Sequence, residues 1–239
     1  MKSSLWNSVK HALFSAYIAL VAAGVCIGIL EYRERRCVVV PVSNENESAA
    51  PETEFPPRIA LTFDDGPHPA YTKKLLDGLR KRGVKATFFL IGENIEGNEE
   101  IIKQMDEDGH LIGNHTWSHV RLTSLDQAAA CEEIKKTNDA VKSITGKNTE
   151  YIRPPFGAWD KDMECGFDMF FVLWTIDPLD WATSNQDQIV EKVVSQAQDN
   201  AIILLHDWYE SSVEAALRIV DLLQAQGYEF VRADELILE

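Results

Sequence analysis

Positive charge is scarce in this sequence. Lys and Arg number 23 against 38 Asp and Glu, a formal net charge of −15, and from residue 58 onward the balance is 18 basic to 32 acidic. Binding a phosphate backbone takes clustered Lys and Arg, so this surface argues against nucleic acid and tolerates a neutral polymer. Cysteine is also sparse: Cys26 lies in an apolar run, Cys37 just after it, and Cys131 and Cys165 stand far apart. With no C-x-x-C pair, a thiolate zinc site has no support, while a Cys131–Cys165 disulfide is left open by the spacing. There is no G-x-G-x-x-G after the first strand-like run, no H-E-x-x-H, no repeat of fixed period, and no low-complexity tract beyond one linker. A nucleotide fold thereby loses its main support, and a solenoid is excluded. What the 239 residues do have is 45% hydrophobic content, enough for a sizeable core and too much for a disordered chain.

Three segments follow from composition. Residues 12–30 carry no charge over 19 positions, close to the roughly 20 a helix needs to cross a bilayer. We expect a membrane anchor within residues 1–36; a cleavable signal peptide with Val21-Ala22-Ala23 as its small-residue site is the competing reading, against which the apolar run continues to Leu30. Lys2 and Lys10 before the run and Arg33, Arg35 and Arg36 after it, diluted by Glu31 and Glu34, leave the orientation undecided. Residues 37–57 are expected to be a disordered linker, its Pro-, Ser-, Asn- and Glu-rich part from Pro41 spanning on the order of 20 to 25 Å. Residues 58–239 form the third segment, a folded domain.

There, strand-like runs alternate with helical patterns that end at glycine. Strands are expected at 58–63, 86–91, 111–113, 150–153, 169–176, 201–205 and 228–231, and helices at 70–82, 98–108, 125–145, 186–198 and 213–226. Such alternation implies right-handed crossovers and a mainly parallel sheet. An open doubly wound sheet and a barrel both satisfy it. About seven strand-helix units in some 180 residues favour an α/β fold of the irregular, seven-stranded (β/α) barrel type.

Five stretches each fall just beyond a strand end, where parallel sheets build their sites. Thr62-Phe63-Asp64-Asp65-Gly66-Pro67 puts two carboxylates before a Gly-Pro stop, and alone reads equally well as a surface turn. His115-Thr116-Trp117-Ser118-His119 spaces two imidazoles by four, one helical turn if the segment is helical, which suits two ligands of one metal; capping histidines are the plainer alternative. The zincin glutamate is replaced by Thr116, so a base must come from elsewhere. One of Asp64 and Asp65 can complete a three-ligand set and the other can serve as base. In Arg153-Pro154-Pro155-Phe156-Gly157 the arginine can orient that base, and the stiff Pro-Pro can aim the Phe156 amide as an oxyanion donor, although such a loop is weak evidence by itself. Asp177-Pro178-Leu179-Asp180-Trp181 and Leu204-Leu205-His206-Asp207 offer a histidine with a carboxylate partner, or a core histidine beside a capping Asp207. That all five share one placement argues for a single site.

As a set these motifs resemble the polysaccharide deacetylase family, carbohydrate esterase family 4, over residues 58–231. The resemblance implies an irregular (β/α) barrel and one divalent metal ion, zinc being expected and cobalt another candidate. It implies Asp64 as base, Asp65, His115 and His119 as metal ligands, and His206 as acid. Arg153 would hold Asp64, Asp180 would orient His206, and Trp181 and Leu204 would wall the acetyl pocket. The third motif often carries Tyr where this chain has Phe156, a change that should matter little if the role is that of a backbone amide. His11, His68 and His110 match no catalytic position and are expected on the surface.

The expected activity is hydrolysis of N-acetyl groups on a cell-surface glycan. Peptidoglycan N-acetylglucosamine is the expected substrate, with chitin-type oligomers and O-acetylated xylan as alternatives. A glycan-binding module without catalysis is a second class, disfavoured because every catalytic position is filled. A glycosidase using Asp64 and Asp65 is a third, and it leaves the histidine pair without a role. The protein is expected to be monomeric and membrane-anchored, with its catalytic domain on the extracytoplasmic face, or secreted if the N-terminal segment is cleaved.

Overall fold

The computed structural model describes residues 55–160, 164–166 and 168–237. The expected anchor and nearly all of the linker lie outside these residues. Among the described residues no helix is long and apolar enough to cross a membrane.

Seven parallel strands make one curled sheet: β1 (Arg58–Asp64), β2 (Thr87–Leu90), β3 (Leu111–Asn114), β4 (Tyr151–Ile152), β5 (Phe170–Phe171), β6 (Ala201–His206) and β7 (Glu229–Val231). The order is β5-β4-β3-β2-β1-β6, with β7 pairing the first half of β1. Beyond β5, Ile176 forms a parallel bridge to Ile203 of β6, so the two margins of the sheet meet there. This is an α/β half-barrel that curls toward closure. In β1, Ile59 through Phe63 are fully buried, as expected of a parallel strand covered on both faces.

Helices α1 (Tyr71–Arg82), α2 (Glu99–Glu107), α3 (Gln127–Thr145), α4 (Gln186–Gln196) and α5 (Glu210–Ala225) follow the expected pattern, and a short α6 (Ala233–Ile237) was not foreseen. Leu75, Leu76 and Leu79 of α1 and Val213, Ala216, Ile219 and Val220 of α5 join the core cluster with Leu61 and Phe63. Each fully buried leucine or phenylalanine contributes roughly 1.5 to 3 kcal/mol. Helix α3 starts two residues later than expected because Asp126 is its N-cap, with its carboxylate accepting from the Ala129 amide at 2.8 Å. The expected strand at 169–176 shrinks to two residues. Past them, the carbonyls of Val172 and Leu173 turn inward to accept from the Arg153 guanidinium at 3.1 and 3.2 Å.

His110 departs from expectation: it is buried, not on the surface. Its Nδ1 accepts from the Ala86 amide at 3.0 Å where β2 begins, and its ring meets Phe88 edge-on. Burial lowers its pKa from 6.5 to about 4, so the folded state holds it neutral. Because the folded pKa lies below the unfolded one, its contribution is complete above pH 6.5 and is lost as pH falls toward 4. A urea midpoint that declines across this window in the wild type, and declines less in His110→Gln, is the expected result. Parallel pH curves for the two proteins would contradict it.

Candidate active site

Strand register sets the site. Asp64 of β1 pairs with His206 of β6, and Leu90 of β2 pairs with Asn114 of β3. Asn114 pairs in turn with Ile152 of β4, so His115 and Arg153 leave the sheet along the same rim. Backbone strain gathers there too. Asp65, Thr116, His119, Phe156 and Leu179 all have positive φ, between 54° and 74°, five of the six such non-glycine residues among those described. Each costs about 1 to 3 kcal/mol and persists only where surrounding structure holds it.

The histidine pair is not helical. Thr116 and His119 take left-handed conformations at φ 68° and 54°, and a tight turn carries the two imidazoles together, their ring centroids 5.0 Å apart. Asn114 pins that turn: its side-chain oxygen accepts from the Thr116 amide at 2.7 Å, while its amide nitrogen donates to the Ile134 carbonyl at 2.8 Å. Asp65 Oδ1 lies 3.6 Å from His115 Nε2 and 3.5 Å from His119 Nε2.

These three residues fit a divalent cation. Their ligand atoms lie within 4.8 Å of one another. Asp65 Oδ1 is buried with no hydrogen-bond partner, an arrangement that is costly unless a cation takes its place. His115 Nδ1 sits 2.6 Å from the Arg153 carbonyl, so it carries the proton and leaves the Nε2 lone pair for a metal. For His119, burial and then the neighbouring His115 lower the pKa, which keeps the unprotonated ligand form.

Asp64 is 3.7 Å from His115 Nε2 through one oxygen, and its other oxygen accepts from Arg153 Nη1 at 2.8 Å. Arg153 is wholly buried. Its Nη1 also donates to Thr62 Oγ1 at 2.7 Å, and its guanidinium lies 4.4 Å from the Phe89 ring centroid. Across the cleft, Asp180 is buried behind His206. One carboxylate oxygen accepts from the His206 amide and the other pairs with Nδ1, both at 2.8 Å. Burial alone would lower the His206 pKa, but Asp180, aided by the charges of Asp64 and Asp65, outweighs it and raises the value to about 9.

Asp207 is therefore not the partner of His206, nor does it cap α5. It accepts a hydrogen bond from Thr72 Oγ1. Burial raises its pKa to about 7. A methyl group on Gly66 would lie 2.5 Å from Asp207 Oδ2, so a larger residue in the turn after the two aspartates would have to displace that buried carboxylate.

A cavity of about 410 Å³ joins these groups. Asp64, Asp65, His115, His119, Phe156, Trp181, Leu204 and His206 line it. Arg153 and Asp180 lie behind the wall, each bonded to a lining residue. All ten expected residues thus fall in or directly behind one cleft. Pro154 and Asp177, named in the motifs but given no place in the cleft, also line it, as do Trp174 and Tyr209, which went unnoticed in the sequence. Trp174 was concealed inside a run that reads as strand, whereas Tyr209 follows His206 closely enough to have been a signal.

Residues 52–168 match the family model for polysaccharide deacetylases. The peptidoglycan-N-acetylmuramic acid deacetylase PdaC of Bacillus subtilis is 40% identical over 178 residues, which are 74% of this chain and 38% of that protein. The chain thus spans well under half the length of that relative. A solved structure of the peptidoglycan deacetylase PdaC from Bacillus subtilis superposes with a TM-score of 0.73 at 40% identity, covering 76% of this chain and 90% of that one. A chitooligosaccharide deacetylase of Rhizobium leguminosarum bv. trifolii is 36% identical over 190 residues, 71% of this chain and 87% of the relative. With the five motifs gathered in one cleft, these matches establish that the chain belongs to the polysaccharide deacetylase family, carbohydrate esterase family 4.

Proposed function

We propose that the protein hydrolyses the acetamide of N-acetylated sugars in a cell-surface glycan, peptidoglycan N-acetylglucosamine first among them. The observation that carries this reading is the pairing of Asp64 with His206 on adjacent strand ends, with the Asp65, His115 and His119 cluster at the same rim. A divalent ion, zinc by preference, held by those three residues would supply Lewis acidity to the acyl oxygen and to water.

The chain's own residues account for the proton movements. Asp64, held by Arg153, takes a proton from the attacking water as oxygen bonds to the acetyl carbon. The Phe156 amide donates to the oxygen that gains charge. His206, protonated at neutral pH and fixed at Nδ1 by Asp180, gives the Nε2 proton to the sugar nitrogen as the carbon–nitrogen bond breaks. Acetate and a free amine result. Trp181, Leu204 and Trp174 give the acetyl methyl an apolar wall.

Two observations support action outside the cytoplasm. Residues 12–30 make an uncharged run of membrane-spanning length. Cys131 and Cys165 are bonded, as in proteins of oxidising compartments. We therefore place the protein on the outer face of a membrane, anchored by that run; recovery of the full-length chain in the soluble fraction would oppose this.

The function is tested by incubating the protein and a divalent metal with N-acetylglucosamine oligomers. Acetate and free amine in equal amounts are expected. New reducing ends without acetate would sink the reading.

A further inference from the structure

The two histidines of the cation-binding cluster are held by different means. The His115 side chain is 3% exposed, and the Arg153 carbonyl fixes its ring at Nδ1. The His119 side chain is 34% exposed. Its Nε2 faces Asp65 and its ring meets those of His115 and Phe156, but among the described residues no acceptor fixes its Nδ1. The placement of His119 therefore rests on the backbone of the turn. Positive φ at Thr116 and at His119 itself makes that backbone dependent on outside support.

The support comes from α3, to which the residue before each histidine is bound. Asn114, before His115, donates to the Ile134 carbonyl and to Asn138 Oδ1 at 2.8 and 2.7 Å. Ser118, before His119, donates twice to one oxygen of Glu133, from its amide at 2.8 Å and from its hydroxyl at 3.0 Å. Ala130 and Ile134, on either side of Glu133 in the sequence, are packed into a cluster with Leu122 and Ile152, so a fixed helix presents the carboxylate.

We propose that Glu133 is a positioning residue for the metal site, setting His119 through Ser118. The proposal rests on the reading of Asp65, His115 and His119 as a divalent-ion site, and it gives Glu133 no contact with ion or substrate.

The other bonds to the turn act further from His119. The Gly92 and Glu93 amides donate to the Thr116 and Trp117 carbonyls at 3.0 Å, and the Asn114 side chain takes the Thr116 amide. Among these bonds only the pair to Glu133 ends on a carboxylate, which strengthens it relative to bonds between neutral groups. Ser118 is exposed and Glu133 half-buried, so breaking the pair strands no buried donor. Loss of Glu133 should thus be felt at the metal more than in the fold.

The test is zinc affinity of the full-length protein in detergent, by competition with a chromophoric chelator, measured beside the thermal midpoint of the metal-free protein. Asp65→Asn gives the background from sites elsewhere in the chain. Glu133→Ala is expected to weaken zinc binding about tenfold, the lower end of the range for groups behind metal ligands. Its metal-free midpoint is expected to stay within about 2 °C of the wild type. Glu133→Gln, whose amide oxygen can still accept from Ser118, is expected to bind within about threefold of the wild type. Wild-type affinity in Glu133→Ala overturns the proposal. So does a loss that Glu133→Gln shares in full, which would trace to charge alone, or one matched by collapse of the metal-free midpoint. A wild type that binds no more zinc than Asp65→Asn removes the metal site and the proposal with it. If the Glu133-dependent affinity is present but no acetate is released, the positioning role stands and the deacetylase reading fails.

Discussion

Replacing Asp64 with Asn is expected to lower kcat for acetate release by about a hundredfold to ten-thousandfold, the usual contribution of a positioned general base. The amide oxygen of Asn can still accept from Arg153 Nη1, which lies 2.8 Å from the carboxylate in the wild type, so the fold should survive. What it cannot do is take a proton from water. Some stability is lost as well, because Arg153 is wholly buried and would face a neutral partner. Acetate release measured beside a thermal melt separates the two effects. An Asp64→Asn protein with near wild-type kcat would remove Asp64 from the role of base.

The largest stability effect is expected at Arg153. Truncation to Ala would leave the Asp64 carboxylate buried without its cation and strip the Val172 and Leu173 carbonyls of their donors. It would also open a cavity beside Phe89, over whose ring the guanidinium lies. Removing one member of a buried ion pair costs about 3 to 5 kcal/mol, before the cavity is counted. A urea melt of Arg153→Ala should therefore shift far toward the unfolded state, and Arg153→Lys should fall between it and the wild type. The lysine keeps the charge but cannot reach Asp64, Thr62 and two carbonyls together. A midpoint for Arg153→Ala near that of the wild type would show that the arginine does not hold the site.

The membership of the cleft was legible in the sequence wherever a strand end could be placed. Periodicity and glycine stops located the ends of β1, β3, β4 and β6, and the residues just beyond them are those that meet. The expected strand at 169–176 was less informative. Its apolar content suits a strand, yet the backbone serves Arg153 instead of a neighbour, a demand set by a residue about twenty positions away.

The histidine spacing misled for a related reason. A separation of four suggests a helical turn, but helical propensity yields here to tertiary contacts that hold Thr116 and His119 at positive φ. Asn114, placed just before the pair and able to accept from the Thr116 amide, was the available sign. For His110 there was none: nothing in its neighbours marks it as the acceptor for the first amide before β2.

We assign unlike roles to neighbours of the same chemical type, Asp64 as base and Asp65 as ligand. Only Asp65 has an orphaned oxygen within reach of both histidines, and only Asp64 is bound to Arg153. The most direct test is zinc stoichiometry after dialysis of Asp64→Asn and Asp65→Asn proteins, both confirmed as folded. Close to one equivalent of zinc is expected in Asp64→Asn and little in Asp65→Asn. Loss of zinc in Asp64→Asn with retention in Asp65→Asn would contradict this assignment.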